Sequence, residues 1–372
     1  MPSSGERIYL RPAGLIPGSS VTRNQSEETG GYSGALPLCG DGPFDFTAVE
    51  IVTRRGADAE RRLRTLGELW NSDAGPAMLS ANETLARLTS PRRRLAGLPM
   101  NAPQIMGVVN VTPDSFSDGG MLTTTAEAVA HALRLAEAGA AILDIGGEST
   151  RPGSEATPLD AELSRVLPVI EALAGKCEAL ISIDTRKAEV ARRALQAGAH
   201  IINDITALTF DPEMMAVAAQ TGVPVVLMHA LGDPKTMQLD PRYDDAPTDI
   251  FDYLAGRVEA CVANGIARER IVIDPGIGFG KTLNHNLQLM GSLSLLHGLG
   301  CPVVVGASRK RFIGTLTHEP IAANRVVGSV GAALAAAVQG VQIIRSHDVR
   351  ETKAALDVFM ASLCGSRSFG EN

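Results

Sequence analysis

Residues 180–204 read LISIDTRKAEVARRALQAGAHIIND, and the order of features in that stretch decides the fold. The run 180–183 is short and mostly apolar and stops at Asp184. Ala188, Ala191, Ala194 and Leu195 then recur at helical spacing, Gly198 follows, and a second apolar run, 201–202, stops at Asn203 and Asp204. Glycine suits the left-handed residue just past a helix C-terminus. Buried strand, polar residue, helix, glycine, buried strand is the phrase of a parallel βα unit.

The phrase recurs outward in both directions. Apolar runs at 105–109, 141–143, 223–228, 271–273, 303–305 and 341–344 stop at Asn110, Asp144, His229, Asp274, the Ser308-Arg309-Lys310 triplet, and Arg345 with His347. Gly139, Gly175, Gly222, Gly265, Gly300 and Gly340 mark the entries to the later runs as Gly198 does. Eight units beyond residue 101 predict an α/β fold of (β/α)8, or TIM, barrel type, in the usual ~250 residues, with its chemistry at the C-terminal strand ends. An open doubly wound sheet also alternates strand and helix. Its nucleotide signatures are absent. In the glycine-rich stretch 276–282 a P-loop would need glycine at Pro275, and a dinucleotide fingerprint would need it at Lys281.

The 372-residue chain is 45% hydrophobic, enough for a large core. Its net charge of −7 argues against broad nucleic-acid binding, and the one dense basic run, Arg92-Arg93-Arg94, reads as a solvated loop. Five cysteines without a C-x-x-C pair predict free thiols in a reducing compartment. No apolar signal-peptide core opens the chain, so a cytoplasmic location is expected. The alanine-rich stretch 326–344 carries Gln339 and Gln342 and reads as a buried helix and strand, not a membrane span.

Residues 1–43 are rich in Gly, Ser and Pro and predict a flexible tail, dispensable for turnover. Residues 44–54 look strand-like, and 65–70 and 82–88 suit short helices. Residues 44–101 are therefore expected to form a hairpin or cap on the closed bottom of a barrel spanning 102–372. Thr124 with Glu127 suits a capping box, with Val129, Leu133 and Ala136 as the inward stripe of the helix that Gly139 ends.

The strand-end residues converge on one pocket. Buried Asp184 and Asp274 need donors, and a ligand with a row of N–H groups, such as an aminopyrimidinone edge, supplies them. Asn203 offers both donor and acceptor beside them. The bland reading is that each Asp caps the following helix. A second, cationic group of Arg345, His347, Arg151, Lys310 and Asn110 suits an anion, arginine fitting phosphate oxygens bidentately. No Cys or His cluster has zinc-ligand spacing. A magnesium ion would take few protein groups plus phosphate oxygens, Asn110 being the best candidate. Residues 110–120 and 146–153 are rich in Gly, Pro and Ser and read as lids, with Phe116 placed to stack on a substrate. An ordinary loop with one phenylalanine packed on the rim is the alternative.

These segments, together with 182–185, 202–204, 228–238, 274–281, 308–310 and 345–347, resemble the dihydropteroate synthase family, in order, over residues 101–363. The resemblance implies a transferase that joins 7,8-dihydropterin-6-ylmethyl diphosphate to 4-aminobenzoate and releases diphosphate. It implies that Asp184, Asn203, Asp274 and Lys310 hold the pterin, with Asp144 and Met228 nearby. Asn110, Arg345 and His347 would hold the diphosphate, Asn110 through magnesium, and Arg151, beside Thr150, would join them on loop closure. Phe116, Pro152 and Lys310 would frame the aminobenzoate. Asp118 is the one general-base candidate there. Lys310, Arg345 and His347 would aid catalysis. A homodimer through late barrel helices is implied too. Two departures stand out: Arg311 where the family often has serine, and Ala230 where methionine is frequent. A catalytically silent pterin-binding paralogue and a pterin-dependent corrinoid methyltransferase are the alternatives; the latter has no use for a diphosphate-binding Arg345 and His347.

Overall fold

The computed structural model describes residues 6–18, 34–70, 75–111, 125–149, 154–232 and 236–364. Four strands come first: β1 (Glu6–Pro17), β2 (Leu36–Pro37), β3 (Phe44–Arg55) and β4 (Asp58–Thr65). They make an antiparallel sheet with β3 at its centre, paired along its length with β1 on one side and with β2 and β4 on the other. Residues 6–17 were expected in a flexible tail. Pro12, Gly14 and Pro17 give that stretch a loop-like composition, but proline is tolerated in a strand that pairs on one side only, and among the described strands β1 pairs only with β3.

Helices α1 (Leu66–Trp70) and α2 (Gly75–Thr89) follow. Leu10, Leu38, Phe46, Val49, Leu66, Leu69, Leu85 and Leu88 form a small core of their own between sheet and helices. The sheet packs on the helical layer around the barrel. It runs along the flank, where Tyr9 meets Phe251 edge-on at 5.5 Å and the Ser294 hydroxyl donates to the Pro12 carbonyl at 2.9 Å. The bottom is closed by Leu95, Leu98 and Met100, which lie within the stretch 44–101 expected to cap it, packed on Met106, Ile142, Ile201, Val226, Val272, Val304 and Ile343.

The barrel strands are β5 (Gln104–Asn110), β6 (Ile142–Gly146), β7 (Leu180–Asp184), β8 (Ile201–Asp204), β9 (Val225–Met228), β10 (Ile271–Asp274), β11 (Val304–Val305) and β12 (Ile343–Ser346). All pair in parallel in the order β10-β9-β8-β7-β6-β5-β12-β11. An Ile273–Val303 bridge closes the ring between β10 and β11. Helices α3 (Thr125–Glu137), α4 (Leu159–Leu173), α5 (Ala188–Gln196), α6 (Met214–Thr221), α7 (Ala246–Ala263), α8 (Leu283–Met290), α9 (Arg311–Thr317), α10 (Val326–Ala337) and α11 (Val349–Cys364) surround it. Among the described residues no helix is long and apolar enough to cross a membrane.

All seven junction glycines have positive φ, and Gly222 shows why: at φ 64° it caps α6 in the left-handed conformation, with its N–H on the Ala218 carbonyl. The inward face of α3 is rotated by one residue from the expected one. Ala128, Ala132 and Leu135 are buried, while Val129, Leu133 and Ala136 flank them half-buried. Small alanines let the helix approach the sheet, and the larger side chains fill the sides of the contact. Thr124, the expected cap, lies outside the described residues.

Candidate active site

Side chains alternate across a strand, so residues two apart share a face. The bottom layer of the barrel interior is Met106, Ile142, Ile201, Val226, Val272 and Ile343. Two residues further along their strands stand Val108, Asp144, Asn203, Met228, Asp274 and Arg345. Asn110 stands four beyond Met106, and Asp184 four beyond Leu180. One apolar layer therefore carries the polar one, and the strand-end residues gather at the open end of a closed ring. Asp204 has the opposite parity. It accepts from the N–H groups of Thr206 and Leu208 at 2.7 and 3.1 Å and shapes its own loop.

Arg345 organises the centre. Its Nε donates to Asp144 Oδ2 at 2.7 Å and its Nη2 to Asp184 Oδ2 at 3.0 Å. Asn203 Nδ2 donates to the same Asp144 oxygen at 3.0 Å. The sequence grouped Arg345 with an anion-binding set; the fold seats it among the carboxylates. Asp184 does not cap α5, whose first N–H is taken by Asp211. Burial, and then the neighbouring charge of Asp144, push the Asp184 carboxyl well above the usual carboxylate range. Two of the buried polar atoms that lack a hydrogen-bond partner among the described residues belong to this layer: Asp144 Oδ1 and Ser182 Oγ. Both belong to the inward face, on paired residues. Such atoms are costly unless a ligand satisfies them.

Asp274 and Lys310 form the other wall. The Gly276 N–H donates to Asp274 Oδ1 at 2.7 Å, and burial raises the Asp274 carboxyl. Gly276 has φ 66°, and a Cβ there would stand 1.9 Å from the His229 carbonyl oxygen, so the position accepts only glycine. Lys310 donates to the Ile277 carbonyl and lies 4.1 Å over the Phe279 ring. Burial, against the opposing pull of Asp274, lowers its amine to about 7.

The Ser308-Arg309-Lys310 and Arg345-Ser346-His347 segments are tied together. The His347 N–H donates to Ser308 Oγ at 3.2 Å and its Nδ1 lies 3.1 Å from the same oxygen. Arg309, at φ 58°, grips Asp348 with Nε at 3.0 Å and Nη2 at 2.5 Å. Met228 is buried at the end of β9 and Asn110 is half-buried at the end of β5. Arg311 opens α9 and is exposed. Phe116, Asp118, Thr150, Arg151 and Pro152 lie outside the described residues.

Three supporting groups escaped the sequence reading. Ser182 sits mid-strand, where only the alternation could have singled it out. Buried Lys281 donates to the Phe279 carbonyl at 2.9 Å and contacts His229 Nδ1 at 3.0 Å, joining the loops after β9 and β10. Burial lowers both its amine and the His229 imidazole, the latter to about 3. Glu148, at the root of the second glycine-rich loop, binds Arg186 at 2.9 Å, Lys187 at 2.9 Å and the Thr157 N–H at 3.0 Å.

Among the described residues no three His, Cys, Asp or Glu side chains gather as a metal-holding group. Asn110 supplies one carboxamide oxygen at the pocket rim. That fits a hard cation that takes few protein ligands and completes its shell with water and phosphate oxygens.

The sequence profile of the family described as pterin binding enzyme matches residues 106–347. Dihydropteroate synthase of Escherichia coli (strain K12) is 48% identical over 266 residues, 72% of this chain and 94% of that protein. Among solved structures, Xanthomonas albilineans dihydropteroate synthase with 4-aminobenzoic acid is 50% identical, with TM-score 0.69, over 74% of this chain and 98% of its own. The same enzyme in complex with 7,8-dihydropteroate is 48% identical, with TM-score 0.65, over 71% of this chain and 95% of its own. Fold, strand-end site and relatives agree: the chain belongs to the pterin-binding enzyme family, and within it to the dihydropteroate synthases.

Proposed function

We propose that this barrel condenses 7,8-dihydropterin-6-ylmethyl diphosphate with 4-aminobenzoate, giving 7,8-dihydropteroate and diphosphate. The observation that carries the reading is the inward layer of Asp144, Asp184, Asn203 and Asp274. Its orphaned Asp144 Oδ1 and Ser182 Oγ, and its carboxyls raised by burial, call for a ligand edge rich in N–H donors. An aminopyrimidinone has that edge. Lys310 would donate to the pterin carbonyl, and Met228 would supply an apolar wall.

The aniline nitrogen of aminobenzoate is neutral near pH 7, so attack needs no strong base. The barrier lies in breaking the C–O bond to the diphosphate. In the reading favoured here that bond breaks first. The electron pair leaves with the diphosphate oxygen, and the positive charge on the methylene spreads into the electron-rich pterin. The amine lone pair then forms the C–N bond, and the nitrogen loses a proton to solvent or to Asp118. His347, with Arg151, would hold the departing anion. Arg345, locked on Asp144 and Asp184, keeps these two carboxyl side chains oriented toward the pterin and adds positive potential nearby. Asn110 would hold magnesium, which when bound neutralises charge on the leaving diphosphate. Phe116 and Pro152 would frame the aminobenzoate.

A cytoplasmic homodimer is part of the same proposal. Cys39, Cys177, Cys261 and Cys301 are free thiols, and Val327 of α10 and Val358 of α11 are exposed at 85% and 69%, suiting a contact between late helices. The test is turnover of the purified chain with the pterin diphosphate, with and without 4-aminobenzoate. Dihydropteroate formed in step with diphosphate supports the reading. Pterin binding without turnover would point to a silent paralogue.

A further inference from the structure

The N-terminal sheet lies outside the matched residues 106–347, yet it grips the barrel at one place that leads to the site. Arg54 of β3 has a side chain only 11% exposed. Its Nε fixes the β3–β4 turn through the Gly56 carbonyl at 3.0 Å. Its Nη1 donates to Thr248 Oγ1 at 3.1 Å and to the Asp249 carboxylate, and its Nη2 reaches Asp244 Oδ2 at 3.4 Å. The other Asp249 oxygen accepts from the N–H groups of Asp244 and Asp245 at 2.9 and 3.2 Å. Arg61 of β4 binds Asp245, the residue whose side chain caps α7 through the Thr248 N–H. The junction between the loop after β9 and α7 is thus held from outside the barrel.

The same loop supports the pocket from behind. Tyr243, one residue before Asp244, donates its hydroxyl to the Gly280 carbonyl at 2.8 Å, and Gln238 Nε2 donates to the Gly278 carbonyl at 2.5 Å. Those carbonyls belong to the glycine-rich turn whose Ile277 carbonyl and Phe279 ring seat Lys310, and whose Gly276 N–H fixes Asp274. A turn with positive φ at Gly276, Gly278 and Gly280 has little stiffness of its own. Its shape depends on the groups bound to it: the Phe279 N–H closes on the Gly276 carbonyl at 3.0 Å, the Gly278 N–H donates to Asn286 Oδ1 at 2.7 Å, and Gln238 and Tyr243 hold the Gly278 and Gly280 carbonyls.

We propose that Arg54 is a positioning residue for the pterin pocket: through Asp249, Tyr243 and the glycine-rich turn it sets where Lys310 and Asp274 stand. The inference rests on the proposed function, because it names the pterin side of that site as the part affected. Surface ion pairs contribute little. Arg54 differs because its guanidinium is nearly enclosed and spans three positions of one junction, fixing the direction in which residues 236–243 leave it.

The experiment compares Arg54→Met, Tyr243→Phe and the double variant in the full chain. Each single variant is expected to raise KM for the pterin substrate about five- to tenfold, with kcat and KM for 4-aminobenzoate within about twofold. The double variant should be no worse than the more affected single one, because both cut the same route. Multiplying effects in the double variant, or an unchanged pterin KM in either single one, would overturn the proposal. If Arg54→Met does not fold by circular dichroism, Arg54→Lys replaces it, keeping the charge without the fork; the same two outcomes then decide. Calorimetric titration with 6-hydroxymethyl-7,8-dihydropterin separates this idea from the catalytic one. A wild type that binds this pterin but does not turn over contradicts the proposed function, while the loss of affinity in the variants still tests the brace.

Discussion

Arg345 Nε lies 2.7 Å from Asp144 Oδ2, although the two residues are 201 positions apart in the chain. They meet because β12 and β6 flank β5 on either side, so the last strand of the barrel returns to the first. The pocket exists only once the ring has closed. It holds one guanidinium between buried Asp144 and half-buried Asp184, with a third carboxylate and a lysine opposite.

Asp184→Asn and Asp274→Asn should each weaken pterin binding by ~1.5–3 kcal/mol, the typical size of a charge-assisted hydrogen bond. The fold should survive Asp184→Asn, since the amide keeps an oxygen that can accept from Arg345 Nη2. Calorimetry with the isolated pterin reads the affinity and thermal unfolding reads the fold. Wild-type affinity in both variants would remove these side chains from the pocket.

Lys310 should shape the alkaline side of the pH profile. Its amine is lowered to about 7 in the free protein, facing Asp274, Asp184 and Arg345. The ammonium form, which donates to the pterin, prevails below that value and is lost as pH rises through it. The specificity constant for the pterin substrate, which reports free-enzyme groups, should therefore fall above about pH 7. Arginine does not titrate in this range, so Lys310→Arg should have a lower plateau that extends to higher pH. An alkaline limb at the same position in Lys310→Arg would assign it to another group.

The same linkage acts on stability. A buried amine whose folded value lies below its unfolded one opposes folding when it must carry charge. That cost is full below about pH 7 and disappears as pH rises toward the ordinary lysine value of about 10.5. Lys310→Met should therefore gain most over the wild type in chemical denaturation below pH 7, and the gain should shrink with rising pH. A gain that does not change with pH would contradict the burial of this ammonium.

The eight strands were legible because each is a short apolar run with a polar stop and, for most, a glycine before it. The site residues were legible as strand ends, and the alternation of faces explains why Asn203 points inward while adjacent Asp204 shapes its loop. The partners of Arg345 were not legible, because Asp144 and Asp184 lie 201 and 161 residues away and only ring closure joins them. Strand β1 was hidden by its prolines and glycine. The two loops read as lids, with Phe116, Asp118, Thr150, Arg151 and Pro152, lie outside the described residues.

Removal of residues 1–43 should destabilise the protein rather than leave it unchanged. The deletion takes away β1, with buried Tyr9 and Leu10, and uncovers one edge of β3. Burial of a large apolar side chain contributes ~1.5–3 kcal/mol, so the loss of these two alone is a large share of a marginal stability. A chain starting at Phe44 should melt earlier and tend to aggregate. Melting at the wild-type temperature would show that β1 contributes nothing to the fold.

Whether the C–O bond breaks before the amine attacks decides the mechanism, and positional isotope exchange measures it. The pterin diphosphate is labelled with oxygen-18 at the bridge between methylene and phosphorus and incubated with enzyme and magnesium, without 4-aminobenzoate. If the bond breaks first and reversibly, the α-phosphoryl group of the departing diphosphate rotates within the site and the recovered substrate carries label in non-bridging positions. That scrambling is the result expected here, and it should be lost in Asn110→Ala, since Asn110 is the residue proposed to hold the leaving group through magnesium. Label that stays wholly in the bridge, in enzyme that forms dihydropteroate normally once 4-aminobenzoate is added, would contradict a cleavage-first path.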